Sequence, residues 1–246
     1  MLGLGIGSVI ETADFTPKIV GFSNSKSLDF DGTNDYVNTN YTANTLFRGS
    51  FSFSYWINLD IANAIAIGVE KGTHSQFLIQ HFSGAVNIIH YSNNDPALMQ
   101  SPGSTTSTDT WHHIAVVVQK NSGSDTQYKL YVDNSAISLN ALGGFAVSEA
   151  NHNAFDSSGE FLAIGASNDD GTPDNFTNGN IDEVAIFNKV LSGSEVSDIY
   201  NSGVPKDESS HDGLFMYYRF EDDVNDTAGT SNGTNNGATF SSTVPS

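Results

Sequence analysis

Apolar and polar residues alternate along much of the chain with the two-residue period of β-strands. The segment 51–59 shows this most clearly: its odd-numbered positions are aromatic or aliphatic, and its even-numbered positions are Ser52, Ser54, Trp56 and Asn58. Because successive side chains of a strand point to opposite faces, the odd-numbered positions should enter a core between two sheets. Shorter apolar runs predict further strands at 65–69, 77–79, 86–88, 114–118 and 129–132.

The segment 161–203 carries the densest sequence of structural signals. It contains in order a short apolar run (161–164), a polar loop (168–180) and a β-branched apolar run that predicts a strand (181–187). Ser192 and Glu195 then have the spacing of a capping box, which predicts the start of a short helix, and Gly203 is its predicted end. The chain is therefore predicted to be mostly β-structure, with this one helix.

The composition excludes several classes of function. The chain has 246 residues, with 28 acidic against 9 basic side chains and a net charge of −19. This balance argues against nucleic acid and against an anionic membrane surface, because both need Lys and Arg. The sequence contains no cysteine, so neither disulfides nor thiol chemistry are available. The N-terminus lacks the basic and continuously apolar regions of a secretory signal.

The order of these segments resembles the laminin G-like, concanavalin A-like domains. The segments that carry the resemblance are LDFDGTNDYV (28–37), the strand 51–59, WHHIAV (111–116), YKLYVD (128–133) and the segment 161–203. Together they cover most of residues 27–203. The resemblance implies an all-β fold, a two-sheet antiparallel β-sandwich of the jelly-roll type. It implies no particular activity, because this fold carries lectins, glycanases, adhesion modules and virion proteins.

The C-terminal segments resemble parts that precede the opening strand in that family. They are 213–221, 226–229 and 235–240, and here they follow the helix. We therefore expect a sandwich permuted at its C-terminus, with strands within 214–240 completing the same two sheets. The predicted organisation is an N-terminal arm (1–26) and one sandwich domain (27–246). No element is assigned to 138–160.

The polar loop is the candidate metal site. Asp169, Asp170, Asp174 and Asn175 concentrate oxygen ligands beside a glycine, as calcium prefers. In calcium-dependent relatives such as the pentraxins, the loop after the corresponding strand supplies ligands, which points to the same place. The alternative is a solvated acidic turn, because Asp-Gly and Pro-Asp are common turn sequences.

Sugar binding and catalysis are the other chemistries to weigh. Trp56 shares a strand face with Ser52 and Asn58, so it could stack on a sugar. The alternative is that Trp56 packs inside its own domain. The laminarinase-type relatives carry Glu-x-Asp-x-Glu on one strand; here only 221–223 begin that motif, and Asn225 occupies the place of the last Glu. The sequence therefore predicts no catalytic residues.

The N-terminal arm alternates glycine with Leu2, Leu4 and Ile6. Such a segment is flexible and apolar, and we expect it either to dock on another subunit or to form an edge strand of its own domain. Two functions remain. The main expectation is a virion (bacteriophage) structural, decoration or fibre protein that assembles with other protein subunits in the host cytoplasm. The alternative is a calcium-assisted carbohydrate-binding or adhesion module, located extracellularly on a cell or particle surface.

Overall fold

A computed structural model describes residues 22–72, 75–93, 95–142 and 147–246. Its strands are β1 (Ser27–Asp31), β2 (Tyr36–Asn38), β3 (Phe51–Leu59), β4 (Asn63–Lys71), β5 (Ser75–Phe82), β6 (Ala85–Ser92), β7 (Asp95–Gln100), β8 (Trp111–Gln119), β9 (Gln127–Val132), β10 (Ser135–Ile137), β11 (Asn140–Ala141), β12 (Ala163–Ile164), β13 (Ser167–Asp169), β14 (Thr172–Asp174), β15 (Asn178–Phe187), β16 (Leu214–Tyr218), β17 (Thr234–Asn236) and β18 (Thr239–Ser241). The helices are α1 (Glu149–Ala154) and α2 (Gly193–Tyr200). Neither has the length and apolarity that a bilayer span requires.

The described strands form two sheets. The first has the order β10-β9-β8-β3-β15-β1-β18, and β16 also pairs with β15. The second has the order β11-β7-β6-β5-β4-β12-β2-β17. The fold is the antiparallel two-sheet sandwich predicted from the sequence. The C-terminal segment contributes to both sheets, since β16 and β18 lie in the first and β17 in the second.

The β13–β14 hairpin is the exception to the antiparallel pattern. Its two strands pair with each other, while Asp169 of β13 pairs in parallel with Glu70 of β4. Much of the polar loop predicted between 168 and 180 is therefore a hairpin beside β4, and 178–180 already belong to β15. This position brings Asp169 and Asp170 to the outward face of the second sheet.

Aromatic rings fill the space between the sheets. Phe51 and Phe53 of β3 meet Phe77 of β5 at ring-centroid distances of 5.0 and 5.5 Å. Phe47 and Phe155 close the same cluster from the connecting segments. Each ring is essentially inaccessible, so the odd-numbered face of β3 lies in the core as its alternation predicts. Burying one such ring stabilises the fold by about 1.5–3 kcal/mol.

One glycine is required by this packing. Gly165 follows β12 with φ +85°, a conformation that side chains rarely adopt. A Cβ atom there would lie 2.3 Å from Cε1 of Phe30, whose ring is fully buried. The apolar run at 161–164 therefore ends at this glycine because the Phe30 ring occupies the space.

The capping box of α2 is present as predicted. Ser192 is the N-cap, its Oγ accepts from the Glu195 amide, and Glu195 accepts from the Ser192 amide. The helix ends earlier than Gly203, because Asn201 adopts the left-handed conformation at φ 46°. Several elements are not predicted by the sequence, among them β7, in a stretch rich in Ser, Thr, Asn and Pro, and β11 and α1, in the unassigned stretch 138–160.

Candidate functional site

The outward side of the second sheet presents a row of side chains that do not enter the core. β5 alternates, so Phe77 and Ile79 enter the sandwich while Gln76, Leu78 and Gln80 face away from it. The cross-strand register extends this pattern over β4, β6 and β7. We call the resulting surface the open face; its side chains are Glu70, Gln76, Leu78, Gln80, Asn87, Ile89, Tyr91, Leu98 and Gln100.

Three amide side chains form a hydrogen-bonded row across the open face. The Nε2 of Gln100 donates to Oδ1 of Asn87 at 2.9 Å, and the Nδ2 of Asn87 donates to Oε1 of Gln80 at 3.0 Å. These contacts link β7, β6 and β5, because Asn87 stands opposite both glutamines in the register. The row fixes the orientation of each amide. Within the described residues, Gln80 keeps its Nε2 donor and Gln100 its Oε1 acceptor for another group.

A groove of about 420 Å³ lies at one end of the open face. We call it the acidic groove; it is lined by Glu70, Gly72, Gln76, Tyr91, Asp169 and Asp170. Glu70 accepts hydrogen bonds from Oγ of Ser167 and Nε2 of Gln76. Burial raises the pKa of Glu70, and the carboxylates of Asp169 and Asp174 raise it further, against the lowering effect of these hydrogen bonds. The groove thus combines a tyrosine ring, an amide and several carboxylates.

A second groove, of about 360 Å³, lies at the other end of the same strands. We call it the amide groove; it is lined by Gly32, Ile61, Asn63, Ala64, Ile65, Gln80, Asn175 and Phe176. Gln76 and Gln80 lie on one face of β5, four residues apart, so the two grooves are separated by about 13 Å along the strand. The segment 169–176 borders both grooves. The open face is therefore a polar surface with a recess at either end.

The structure divides the four predicted calcium ligands. Asp169 and Asp170 line the acidic groove, where Oδ1 of Asp170 also accepts from the Gly72 amide at 2.8 Å. Asn175 lines the amide groove, and Asp174 lies on β14 between them. Among the described residues, no three His, Asp or Glu side chains are grouped so as to hold a metal ion. Calcium binding at this hairpin stays a prediction, with its ligands distributed over two recesses.

Trp56 is buried on the outward side of the first sheet. Its side chain is 5% exposed, and its ring stacks on Tyr200 at 5.8 Å and lies 5.1 Å from the His113 ring. The helix α2 supplies Tyr200 and covers this face. Trp56 therefore has the packing role that was the alternative to sugar stacking, and its ring faces are not open to a ligand. Leu2, Leu4 and Ile6 of the arm lie outside the described residues.

Other chemically suggestive groups are occupied by structure. Oγ of Ser54 lies 2.8 Å from Nε2 of His113, but both residues are buried beneath α2. Glu221, which begins the incomplete glucanase motif, accepts from the amides of Ser25 and Lys26 and so ties the start of β1. Asp226 accepts from the Tyr217 amide of β16 and from the amides of Ala228, Gly229 and Ser231 in the turn that follows. These groups hold the fold together.

A buried carboxyl cluster lies on the outward side of the first sheet. Glu183 sits in a bulge of β15 with φ 48°, and Tyr217 Oη donates to its carboxyl group. Burial raises the pKa of Glu183 to about 7. Oε2 of Glu208 lies 2.8 Å from Nε2 of His211, and burial raises the pKa of Glu208 to about 8. No sequence signal indicated this cluster, because its members are far apart in the chain and meet only through the packing of 204–213 on β16.

Comparisons with known proteins agree with this architecture. The family model described as the concanavalin A-like lectin/glucanases superfamily matches residues 31–197. At the level of sequence, no curated protein matches the chain.

Similar solved structures include three from bacteria. A putative carbohydrate binding protein from Bacteroides ovatus is 17% identical, with a TM-score of 0.62 over 91% of this chain and 62% of that one. The CBM40 module of the Ruminococcus gnavus IT-sialidase, bound to α2,3 sialyllactose, is 16% identical, with a TM-score of 0.55 over 72% and 99%. The K499G mutant of the Streptococcus pneumoniae NanB sialidase is 19% identical, with a TM-score of 0.51 over 73% and 27%. At these identities the likeness concerns the fold.

Proposed function

The chain belongs to the concanavalin A-like lectin/glucanases superfamily, and from this premise we propose that it is a non-enzymatic carbohydrate-binding module whose ligand lies along the open face. The observation that carries the proposal is the row of oriented amides formed by Gln80, Asn87 and Gln100. Sugar hydroxyls are both donors and acceptors, and a primary amide offers both functions in one plane. The row is flanked by the two grooves, into which neighbouring sugar units can extend.

Tyr91 supplies the apolar contact that sugars also need. It stands opposite Gln76 on the outward face and borders the acidic groove. The ring is half-buried, so it can receive the C–H face of a pyranose while its hydroxyl reaches water or a sugar oxygen. Ile89 lies beside it on the same face of β6 and adds apolar surface, while Leu78, opposite Ile89, is only 5% exposed and supports the face from below.

The expected affinity follows from these contacts. A hydrogen bond on such a surface contributes about 0.5–1.5 kcal/mol net, because it replaces hydrogen bonds to water. Four of them together with one aromatic contact amount to about 2.5–7.5 kcal/mol, which corresponds to a dissociation constant of about 10 mM to 3 µM. Weak single-site binding of this kind is useful to a module that is displayed in many copies or attached to another domain.

The comparisons favour carbohydrate binding over the virion role expected from the sequence. The similar solved structures include a putative carbohydrate binding protein and a CBM40 module with a bound sialylated sugar. The virion expectation rests on the N-terminal arm, whose residues 1–21 lie outside the described part of the chain. An extracellular or cell-surface location belongs to the same proposal, because that is where such glycans occur.

A glycan-binding experiment tests the proposal. The full chain is applied to a printed library of defined glycans, and the strongest signals are measured by titration calorimetry with soluble oligosaccharides. Tyr91→Ala should weaken binding about tenfold, and Gln80→Ala about threefold to tenfold, from the loss of one aromatic contact or one hydrogen bond.

Gln127→Ala is the matched control for Gln80→Ala, because Gln127 is an exposed glutamine on β9 of the other sheet. It should leave the affinity unchanged. Each variant is compared by its melting temperature, so that loss of fold is not mistaken for loss of binding. If neither Tyr91→Ala nor Gln80→Ala changes the glycan affinity, the ligand binds elsewhere and the proposal is wrong.

A further inference from the structure

The acidic groove carries negative charge with little compensation. Glu70, Asp169 and Asp170 line it, and Asp174 is close enough to raise the pKa of Glu70. Across the described ranges, none of these four carboxylates forms an ion pair with Lys or Arg. An anionic ligand entering this recess therefore meets like-signed groups and, within the described residues, no fixed cation.

The local arrangement of Lys71 strengthens this conclusion. Lys71 follows Glu70 directly, yet its Nζ lies 3.2 Å from Oδ2 of Asp156 and donates to the carbonyl of Ser158 at 2.7 Å. Because neighbouring strand residues point to opposite faces, Lys71 cannot serve the acidic groove. The one basic residue of β4 is thus directed away from the site.

We infer that this module selects glycans whose contacted units are neutral or carry a free amine, and that Glu70, Asp169 and Asp170 exclude units bearing carboxylate or sulfate. The inference rests on the proposed function and specifies its ligand class. The amides and Tyr91 provide the binding surface, while the three carboxylates determine the charge that it accepts. The sialylated ligand of the Ruminococcus gnavus module falls in the excluded class.

The size of the effect follows from Coulomb's law. A ligand carboxylate about 6 Å from one groove carboxylate lowers the affinity of the ligand roughly threefold in a water-like dielectric, and more where the groove is dry. Salt reduces this, since the screening length is about 8 Å at physiological ionic strength. With three carboxylates around the groove, we expect a sialylated or sulfated glycan to bind at least about tenfold more weakly than its neutral parent. An amine at the same position should bind more tightly than the parent.

The overall charge of −19 also repels anions, so the experiment must separate local from global charge. The local variant is Asp169→Asn/Asp170→Asn, which removes two charges from the groove. The matched control is Asp125→Asn/Asp223→Asn, which removes two charges from exposed positions outside the open face. The two double variants have the same net charge, so only the location of the charge differs between them.

The measurement compares a printed library of neutral, sialylated, sulfated and free-amine glycans, followed by calorimetry on the strongest neutral glycan and its charged counterparts. The local variant should raise the ratio of anionic to neutral binding about threefold to tenfold, and the control variant should leave it near the wild-type value. Both ratios are measured in about 20 mM and about 150 mM salt, because a local effect persists in salt more than a global one.

Each outcome decides the matter. Preference of the wild-type chain for sialylated or sulfated glycans overturns the inference but leaves the proposed function standing. Equal changes in the two double variants also overturn it, because the selectivity would then come from net charge. Binding of no glycan in any class contradicts the proposed function, and the inference with it.

Discussion

Glu208 should make the stability of this fold depend on pH in the unusual direction. Burial raises its pKa from 4.5 to about 8. Lys206 opposes this shift, while the carboxylates of Glu183, Asp198 and Asp207 add to it. Between the two pKa values the folded state retains a proton that the unfolded state has released. The free energy of unfolding therefore falls as the pH rises through this window.

The magnitude can be worked from the same values. One pKa unit corresponds to about 1.4 kcal/mol, so between pH 5 and pH 8.5 this one group should lower the free energy of unfolding by about 3–4 kcal/mol. Glu208→Gln keeps the shape and polarity of the neutral acid but cannot ionise. The variant should resemble the wild-type chain at pH 5 and exceed its stability at pH 8.5.

Urea unfolding followed by tryptophan fluorescence at pH 5, 7 and 8.5 provides the assay. Asp125→Asn, at an exposed position, is the control and should reproduce the wild-type pH dependence. The comparison uses the difference between variant and wild type at each pH, so that other titrating groups cancel. If the stability curve of Glu208→Gln runs parallel to that of the wild type, Glu208 is not held neutral by burial, and the reasoning fails.

Three further predictions follow from the packing and the hairpin. Phe220→Ala should lower the free energy of unfolding, measured in urea, by about 3–5 kcal/mol, because the ring is fully buried beside Tyr218. A loss below about 1 kcal/mol would show that the C-terminal segment does not share the core. Gly165→Ala should cost about 2–4 kcal/mol from its positive φ and its collision with Phe30, and an unchanged melting temperature would contradict the packing described there. Calcium should raise the melting temperature only at about millimolar concentrations, since the structure spreads the predicted ligands over two grooves. Asp169→Asn should remove that rise. If about 10 mM calcium leaves the melting temperature unchanged, the hairpin is not a calcium site.

The alternation of Phe51–Leu59 was sufficient to predict β3 with its observed bounds, because every second residue enters one core. Ser192 with Glu195 was likewise sufficient to predict the start of α2, since a capping box is a local interaction. β7 was missed because its sequence contains Pro96 and lies in a stretch rich in loop-forming residues. It is a strand only through its pairing with β6 and β11.

The candidate site could not be predicted in the same way. Gln80, Asn87 and Gln100 are ordinary polar residues in the sequence, and only the register between their strands brings them into one row. The sequence makes the hairpin at 169–175 a candidate through its oxygen-bearing side chains, whereas its division between two grooves depends on its pairing with β4. The alternation places Trp56 on the outward face and leaves sugar stacking and internal packing as alternatives. Its cover by Tyr200 of α2 is a contact between distant parts of the chain, which no local pattern shows.

The pairing of the first and last described strands also determines how the fold responds to mechanical force. Ser27, the first residue of β1, stands directly opposite Ser241, the last residue of β18, and Oγ of Ser27 donates to the carbonyl of Thr243 at 2.7 Å. Tension between the two ends of the domain therefore loads this pair in an unzipping geometry, one hydrogen bond after another, instead of shearing all of them at once. β18 should peel away at low force while β4 to β7, which carry the open face in the other sheet, bear no load in that first step.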